Sequence, residues 1–254
     1  MVIKTKREYD YADALETLRA RSPSWWGTLI MEPLTLRPTL LIAKYTHIKP
    51  NHISILSLIF NVFSAICFFQ GTRLSLILGA FLFELSFILD YVDGTLARLT
   101  HSLTELGRNL DFLGGCLYNN LALVALLTSQ GMLKNDVNLF LLGLIYIILS
   151  DVIHFGFLSA RAPNDPLSVT HGRYVKSKSL TYLVTKYLLL KNFFKRFRLP
   201  VFPTEIDTIN VILFLAPLFG FLFWGVLFGL MTISIQFTMV VLINLDRKTK
   251  DDEW

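Results

Sequence analysis

The sequence predicts an all-α integral membrane protein with six transmembrane helices and with cytoplasmic interfacial helices at its N-terminus and centre. Three observations lead there. Of 254 residues, 53% are hydrophobic and 17% charged, where a soluble domain carries about 25% charged residues. The mean hydropathy is +0.52. Apolar runs of membrane-crossing length recur, and the basic residues cluster on one side of them.

The elements follow in chain order. Residues 1–22 are polar, no secretory leader is expected, and Tyr11, Leu15 and Leu18 form a short amphipathic stretch. Residues 24–47 set Trp25 and Trp26 beside Leu29, Ile30 and basic residues, a composition suited to a helix lying in the membrane interface. The runs 53–70, 74–92, 110–130 and 137–160 each approach the roughly 20 residues that cross a bilayer. The stretch 179–199 is basic and apolar together, and predicts a second interfacial helix that meets anionic headgroups. The run 209–245 would make one helix of roughly 55 Å, far longer than the hydrocarbon core. A break at Pro217, Gly220, Gly225 or Gly229 divides it into spans five and six, with Thr204 and Asp207 as a capping box ahead of span five.

Six spans place both termini on one side. All of the 24 Lys and Arg except Arg73 and Lys134 then fall on that side, a positive-inside pattern that makes it cytoplasmic. Topology thus accounts for the basic charge, and no nucleic-acid partner is expected. Three parts are expected: an N-terminal segment 1–47, a membrane domain 48–245 and a cytoplasmic tail 246–254. Cys67 and Cys116 lie in apolar runs and read as reduced packing residues.

The chemistry concentrates at 90–115. Asp90 and Asp93 are i, i+3 at the end of span two, and Ala97 continues their face. Gly94 and Ala97 are small enough to admit a ligand or a second helix. Gly107, Asp111, Gly115 and Asn119 repeat at intervals of four on span three. Three carboxylates converging in a low-dielectric site call for a cation. An all-oxygen set suits Mg²⁺, Mn²⁺ or Ca²⁺ bridging to a phosphate, with Arg98 and Arg108 adding positive charge. A solvated helix end is the plain alternative.

Asp90, Asp93, Gly94, Ala97, Arg98, Gly107 and Asp111 form D-x2-D-G-x2-A-R-x8-G-x3-D, which resembles the signature of the CDP-alcohol phosphotransferases. The segment PNHIS at 50–54 is similar to the family's entry segment, and SARA at 159–162 is similar more weakly. The resemblance implies transfer of a phosphoalcohol group from a CDP-alcohol to an acceptor hydroxyl, alcohol or lipid, with release of CMP. It places the chemistry in phospholipid or related glycoconjugate synthesis. It implies Asp90, Asp93 and Asp111 as ligands of two divalent metals, Mg²⁺ or Mn²⁺. It implies Asn51, Gly94, Ala97, Arg98 and Gly107 around the CDP moiety, and a homodimer. Arg161, Arg173, Lys176 and Lys178 are candidates for receiving an anionic acceptor, with positive-inside anchoring as the alternative.

The family signature ends on a fourth aspartate, assigned as general base. That position is Gly115 here, and no acidic residue occurs between Asp111 and Asp136. Asp151 and His154, i, i+3 on span four, are the candidate displaced base, since intramembrane ionisable residues are functional by default. Asn119 is placed to orient a water or an acceptor. The acceptor's own phosphate is another source of base. The alternative reading keeps the fold as a non-catalytic binder of a CDP-alcohol or metal. A prenyltransferase would need a second acidic cluster, for which Asp151 stands alone.

Overall fold

The computed structural model describes residues 9–19, 23–113, 119–159, 190 and 192–251, with side chains described except at 111–113, 133–134, 154–159 and 239–251. Two short helices come first, α1 (Tyr11–Arg19) and α2 (Glu32–Tyr45), with a π-helical turn at Gly27–Met31 leading into the latter. The long helices α3 (Pro50–Gln70) and α4 (Arg73–Leu99) follow, then α5 (Glu105–Leu113), α6 (Asn119–Lys134) and α7 (Val137–Ser159). The C-terminal part holds α8 (Glu205–Asn210), a π-helical turn at Val211–Leu215, α9 (Ala216–Phe219) and α10 (Leu222–Asp251). Among the described residues there is no strand.

Local chemistry sets the boundaries. Pro50 opens α3, where its missing N–H costs nothing. Gly71, at φ 69°, closes α3 in the left-handed region that glycine enters freely. Thr72 caps α4 by accepting from the Ser75 amide at 3.2 Å. The resulting antiparallel pair is the most extensive contact in the fold. It is built on small residues: Ser57 and Ser86 exchange hydroxyl-to-carbonyl bonds at 2.9 and 2.8 Å, and Ser64 donates to the Gly79 carbonyl at 2.8 Å. Small residues let helix backbones approach where no hydrophobic force separates protein from lipid.

α6 packs along α3, with Ser129 donating to the Phe68 carbonyl at 2.6 Å and Gln130 to the Gly71 carbonyl at 3.2 Å. α7 returns against α6 and meets α10. The main core gathers Phe68, Phe83, Leu123, Leu126, Tyr146, Ile212, Leu213 and Ile233 from α3, α4, α6, α7, the second π turn and α10. A second core joins Leu18 of α1 and Leu36 and Ala43 of α2 to Ile53, Val92, Leu96 and Leu99. The Asp207 carboxylate of the capping box accepts from the Thr204 amide at 2.6 Å and opens α8 as expected. The apolar run 209–245 breaks at Gly220, at φ 81°.

The helix ends sort into two levels. The Arg73 guanidinium donates to the carbonyls of Pro217 and Leu218, the exposed C-terminus of α9. With Gln130 on Gly71, this gathers the α3–α4, α6–α7 and α9–α10 turns at one end. The start of α3, the end of α4, α5 and the start of α8 lie at the other.

Two helices, Pro50–Gln70 and Arg73–Leu99, are long and apolar enough to cross a membrane. α7 and α10 carry shorter apolar stretches, Val137–Ile153 and Leu222–Thr238. Of the six crossings expected from hydropathy, two therefore stand at full length on the described residues. The outer faces of the long pair are oily: Ile55, Ile59, Phe63, Ile66 and Phe69 on α3 and Leu74, Leu78, Phe81 and Leu85 on α4 are exposed. Such stripes on two adjoining helices match a lipid environment.

Candidate active site at the end of α4

The last three turns of α4 carry the first half of the motif. Asp90 is half-buried and Asp93 is 7% exposed, and the small residue Ala97 shares their face, buried, one turn further on. At roughly 100° per residue, Val92 and Leu99 lie about 100° or more round the helix from that face and Leu96 flanks Asp93 at about 60°, all three entering the second core. The helix thus has an acidic front and an apolar flank and back. It ends at His101, at φ 51°, with the Ser102 amide returning to the Ala97 carbonyl at 2.9 Å. Arg98 sits half-buried in the last turn, where a cation also favours the helix C-terminus.

α5 begins within a few residues, and Thr104 starts it. The Thr104 hydroxyl accepts from the Gly107 amide at 2.9 Å and donates to the Asn51 Oδ1 at 3.1 Å. Asn51 lies in the first turn of α3. Two residues expected near the CDP moiety, Asn51 and Gly107, are thus brought together, with Thr104 between them. A Cβ at Gly107 would lie 3.0 Å from the Thr104 Oγ1 and 3.1 Å from the Asn51 Oδ1. That crowding accounts for a glycine here before any ligand is considered. Thr104 was not singled out from sequence, although a threonine three residues before Gly107, opening a helix, is a readable cap.

Asp111 is in the last turn of α5, and its side chain is outside those described. Gly115, Arg161, Arg173, Lys176 and Lys178 lie outside the described residues, as does the side chain of His154 on α7. Among the described residues no group of three or more His, Cys, Asp or Glu is gathered to hold a metal. The described donors, Asp90 and Asp93, fit a hard divalent cation in charge and in oxygen chemistry. Two carboxylates alone do not make the three-aspartate set expected from the sequence, and the side chain of Asp111 lies outside those described.

Deeper between α3, α6 and α7 lies a polar layer. Asn120 of α6 donates to both carboxylate oxygens of Asp151, at 3.0 Å each. Its neighbour Asn119 accepts from the Asn61 amide of α3 at 3.2 Å, and Ser150 donates to Glu205 of α8 at 2.5 Å. Asp151 therefore has a specific donor partner, which sequence reading missed. Asn120 sits on α6, and only the packing of α6 against α7 reveals the pairing.

Among the described residues the fold is all-helical, with two helices of membrane-crossing length and two carboxylates on one face near the end of the longer of them. Residues 47–240 match the family model for CDP-alcohol phosphatidyltransferase, and the chain belongs to that family. Membership brings a CDP-alcohol donor, an alcohol acceptor and transferase chemistry, and members generally use divalent metals. No curated protein matches the chain significantly.

Proposed function

We propose that the chain transfers the phosphoalcohol group of a CDP-alcohol to an acceptor hydroxyl and releases CMP, at the cytoplasmic face of a membrane and within phospholipid or related glycoconjugate synthesis. The observation that carries this reading is the acidic front of α4, Asp90 and Asp93, beside the Asn51–Thr104–Gly107 junction, inside the stretch that matches the family. Asp90, Asp93 and Asp111 are the residues that would hold Mg²⁺ or Mn²⁺. Such cations neutralise the diphosphate and make CMP a better leaving group. Gly94 and Ala97 leave room for the nucleotide, and Arg98 and Asn51 supply donors to it. The six-span layout and a homodimer belong to the same reading.

Gly115 leaves the acceptor proton without its usual recipient. Asp151 is our candidate, because its carboxylate is already oriented by Asn120 of α6. His154 is one turn away on the same helix. Arg161, Arg173, Lys176 and Lys178 are candidates to hold an anionic acceptor. The test is release of CMP by purified protein from a panel of CDP-alcohols with native lipid extract, with and without Mg²⁺ or Mn²⁺. Metal-dependent CMP release with a new phosphodiester product supports the transferase. Gly115 also motivates a second reading, a binder that does not turn over. Metal-dependent binding of CDP-alcohols with no CMP from any of them selects it.

A further inference from the structure

The stretch that matches the family begins at residue 47, yet the segment before it is packed against the signature helix. Leu18, Leu36 and Ala43 share a core with Val92, Leu96 and Leu99 of α4. These three α4 residues form the flank and back of the helix whose front carries Asp90, Asp93 and Ala97. The closest approach is at Gly27, where a Cβ would lie 2.3 Å from the Tyr91 hydroxyl oxygen and 2.5 Å from the Ser24 Oγ. Tyr91 is the residue next to Asp90. Trp26 then ties the segment at two further points. Its indole N–H donates to Glu84 of α4 at 3.1 Å, and its backbone amide donates to Asp207 of α8 at 2.6 Å.

The geometry points to a positioning role, one that builds on the site proposed above: the segment Ser24–Tyr45 fixes the rotation of the signature half of α4 through Gly27 on Tyr91 and Trp26 on Glu84 and Asp207, and so sets where Asp90 and Asp93 face. The lever is large. With side chains at about 5–6 Å from the helix axis, a turn of about 20° moves a carboxylate by about 2 Å. Misplacement of about 1 Å can cost a hundredfold in rate. Two attachments on different elements resist such a turn: Glu84 lies two turns before the motif, and Asp207 anchors the same tryptophan to α8. A side chain at Gly27 would have to displace the hydroxyls of Tyr91 and Ser24.

Relief of the crowding is the test. Gly27→Ala adds a Cβ that meets the Tyr91 and Ser24 hydroxyls, and the relieving pair Ser24→Ala with Tyr91→Phe removes both. The probes are Mn²⁺ and CDP, the moiety common to all donors, with binding followed by titration and Mn²⁺ also by electron paramagnetic resonance. In folded protein, Gly27→Ala is expected to weaken Mn²⁺-dependent CDP binding about tenfold, and to lower any CMP release at least as much, by displacing the aspartates. Gly27→Ala added to the relieving pair is expected to bind as the relieving pair alone does. Should Gly27→Ala fail to fold, Trp26→Phe keeps an aromatic side chain, removes the bond to Glu84 and is expected to weaken binding in the same direction. Wild-type Mn²⁺ dependence in folded Gly27→Ala (or in Trp26→Phe where that stands in), or a triple variant no better than Gly27→Ala, would overturn the proposal. A wild-type chain that binds CDP with Mn²⁺ but releases no CMP sinks the transferase reading and leaves the positioning role to be decided by binding. A wild-type chain without Mn²⁺-dependent CDP binding overturns both.

Discussion

A carboxylate held at the end of a membrane helix has few stable states: paired, protonated or bound to a cation. Asp93 is almost fully buried at the end of α4, on the same face as Asp90. In such a site a unit charge at contact is worth about 4 kcal/mol at an effective dielectric near 20. Asp93→Asn is therefore expected to weaken metal-dependent CDP binding by more than about a hundredfold, as measured by calorimetry. Undiminished affinity in chelator would rule the metal out. The missing fourth aspartate makes a separate prediction. A general base contributes about 10²–10⁴-fold to rate. If Asp151 or His154 has taken the role, Asp151→Asn with His154→Gln should lose that factor in CMP release and keep donor binding. If instead wild type is silent and Gly115→Asp alone creates turnover, the chain is a binder that lost its base. The motif itself was readable because its members are close in sequence and fixed by helix periodicity. The partner of Asp151 was not, because Asn120 is separated from it by a whole helical hairpin, and no local spacing encodes that contact.

Glycines carry the element scale, and the structure separates those that turn the chain from those that pack it. The sequence offers Pro217, Gly220, Gly225 and Gly229 as equal places to break the run 209–245. Only Gly220 has positive φ, with open space around it. Pro217 instead lies in the first turn of α9, where a proline is tolerated. Gly225 and Gly229 lie within α10 at close approaches. A Cβ there would be 3.0 Å from the Ala216 Cβ and 2.9 Å from the Ile212 Cδ1 respectively. Between α6 and α7, a Cβ at Gly143 would lie 2.2 Å from the Leu127 Cδ1. Two substitutions should then differ in kind. Gly143→Val overpacks a helix contact and is expected to cost about 1–3 kcal/mol. Gly220→Ala meets no atom and is expected to cost about 1–2 kcal/mol through the left-handed backbone alone. Unfolding in detergent measures both. An equal cost for Gly220→Ala and Gly220→Asn would argue against the backbone cause, because asparagine tolerates this conformation better. Hydropathy made the long helices and the capping box at Thr204 legible, since both are local patterns. The links from Trp26 to Glu84 and Asp207 were illegible, because residues this far apart in sequence share no period.

At the scale of the whole molecule, two independent patterns agree on which ends of the helices belong together. The distribution of charge separates Arg73 and Lys134 from the other basic residues. The packing gathers the α3–α4, α6–α7 and α9–α10 turns at one end, through Gln130 on Gly71 and Arg73 on the end of α9. Arg73 thereby has a structural task, neutralising exposed carbonyls at a helix C-terminus, as well as its place in the topology. The opposite end holds the acidic front of α4, the Asn51–Thr104–Gly107 junction and the bidentate pair of Arg198 with Glu32, at 2.7 Å to each oxygen. Under the proposed six-span layout, positive-inside sorting would put that end in the cytoplasm, where soluble nucleotides are supplied. In intact cells, with Cys67 and Cys116 replaced, a cysteine at Lys134 should react with an impermeant thiol reagent added outside. A cysteine at His101, exposed between the two halves of the motif, should react only after the membrane is opened. Labelling at 101 from outside would invert the molecule and separate the site from its nucleotide. Labelling at both positions from one side would mean that α3, α4, α6 and α7 do not cross in alternation, and the six-span layout would fall with it.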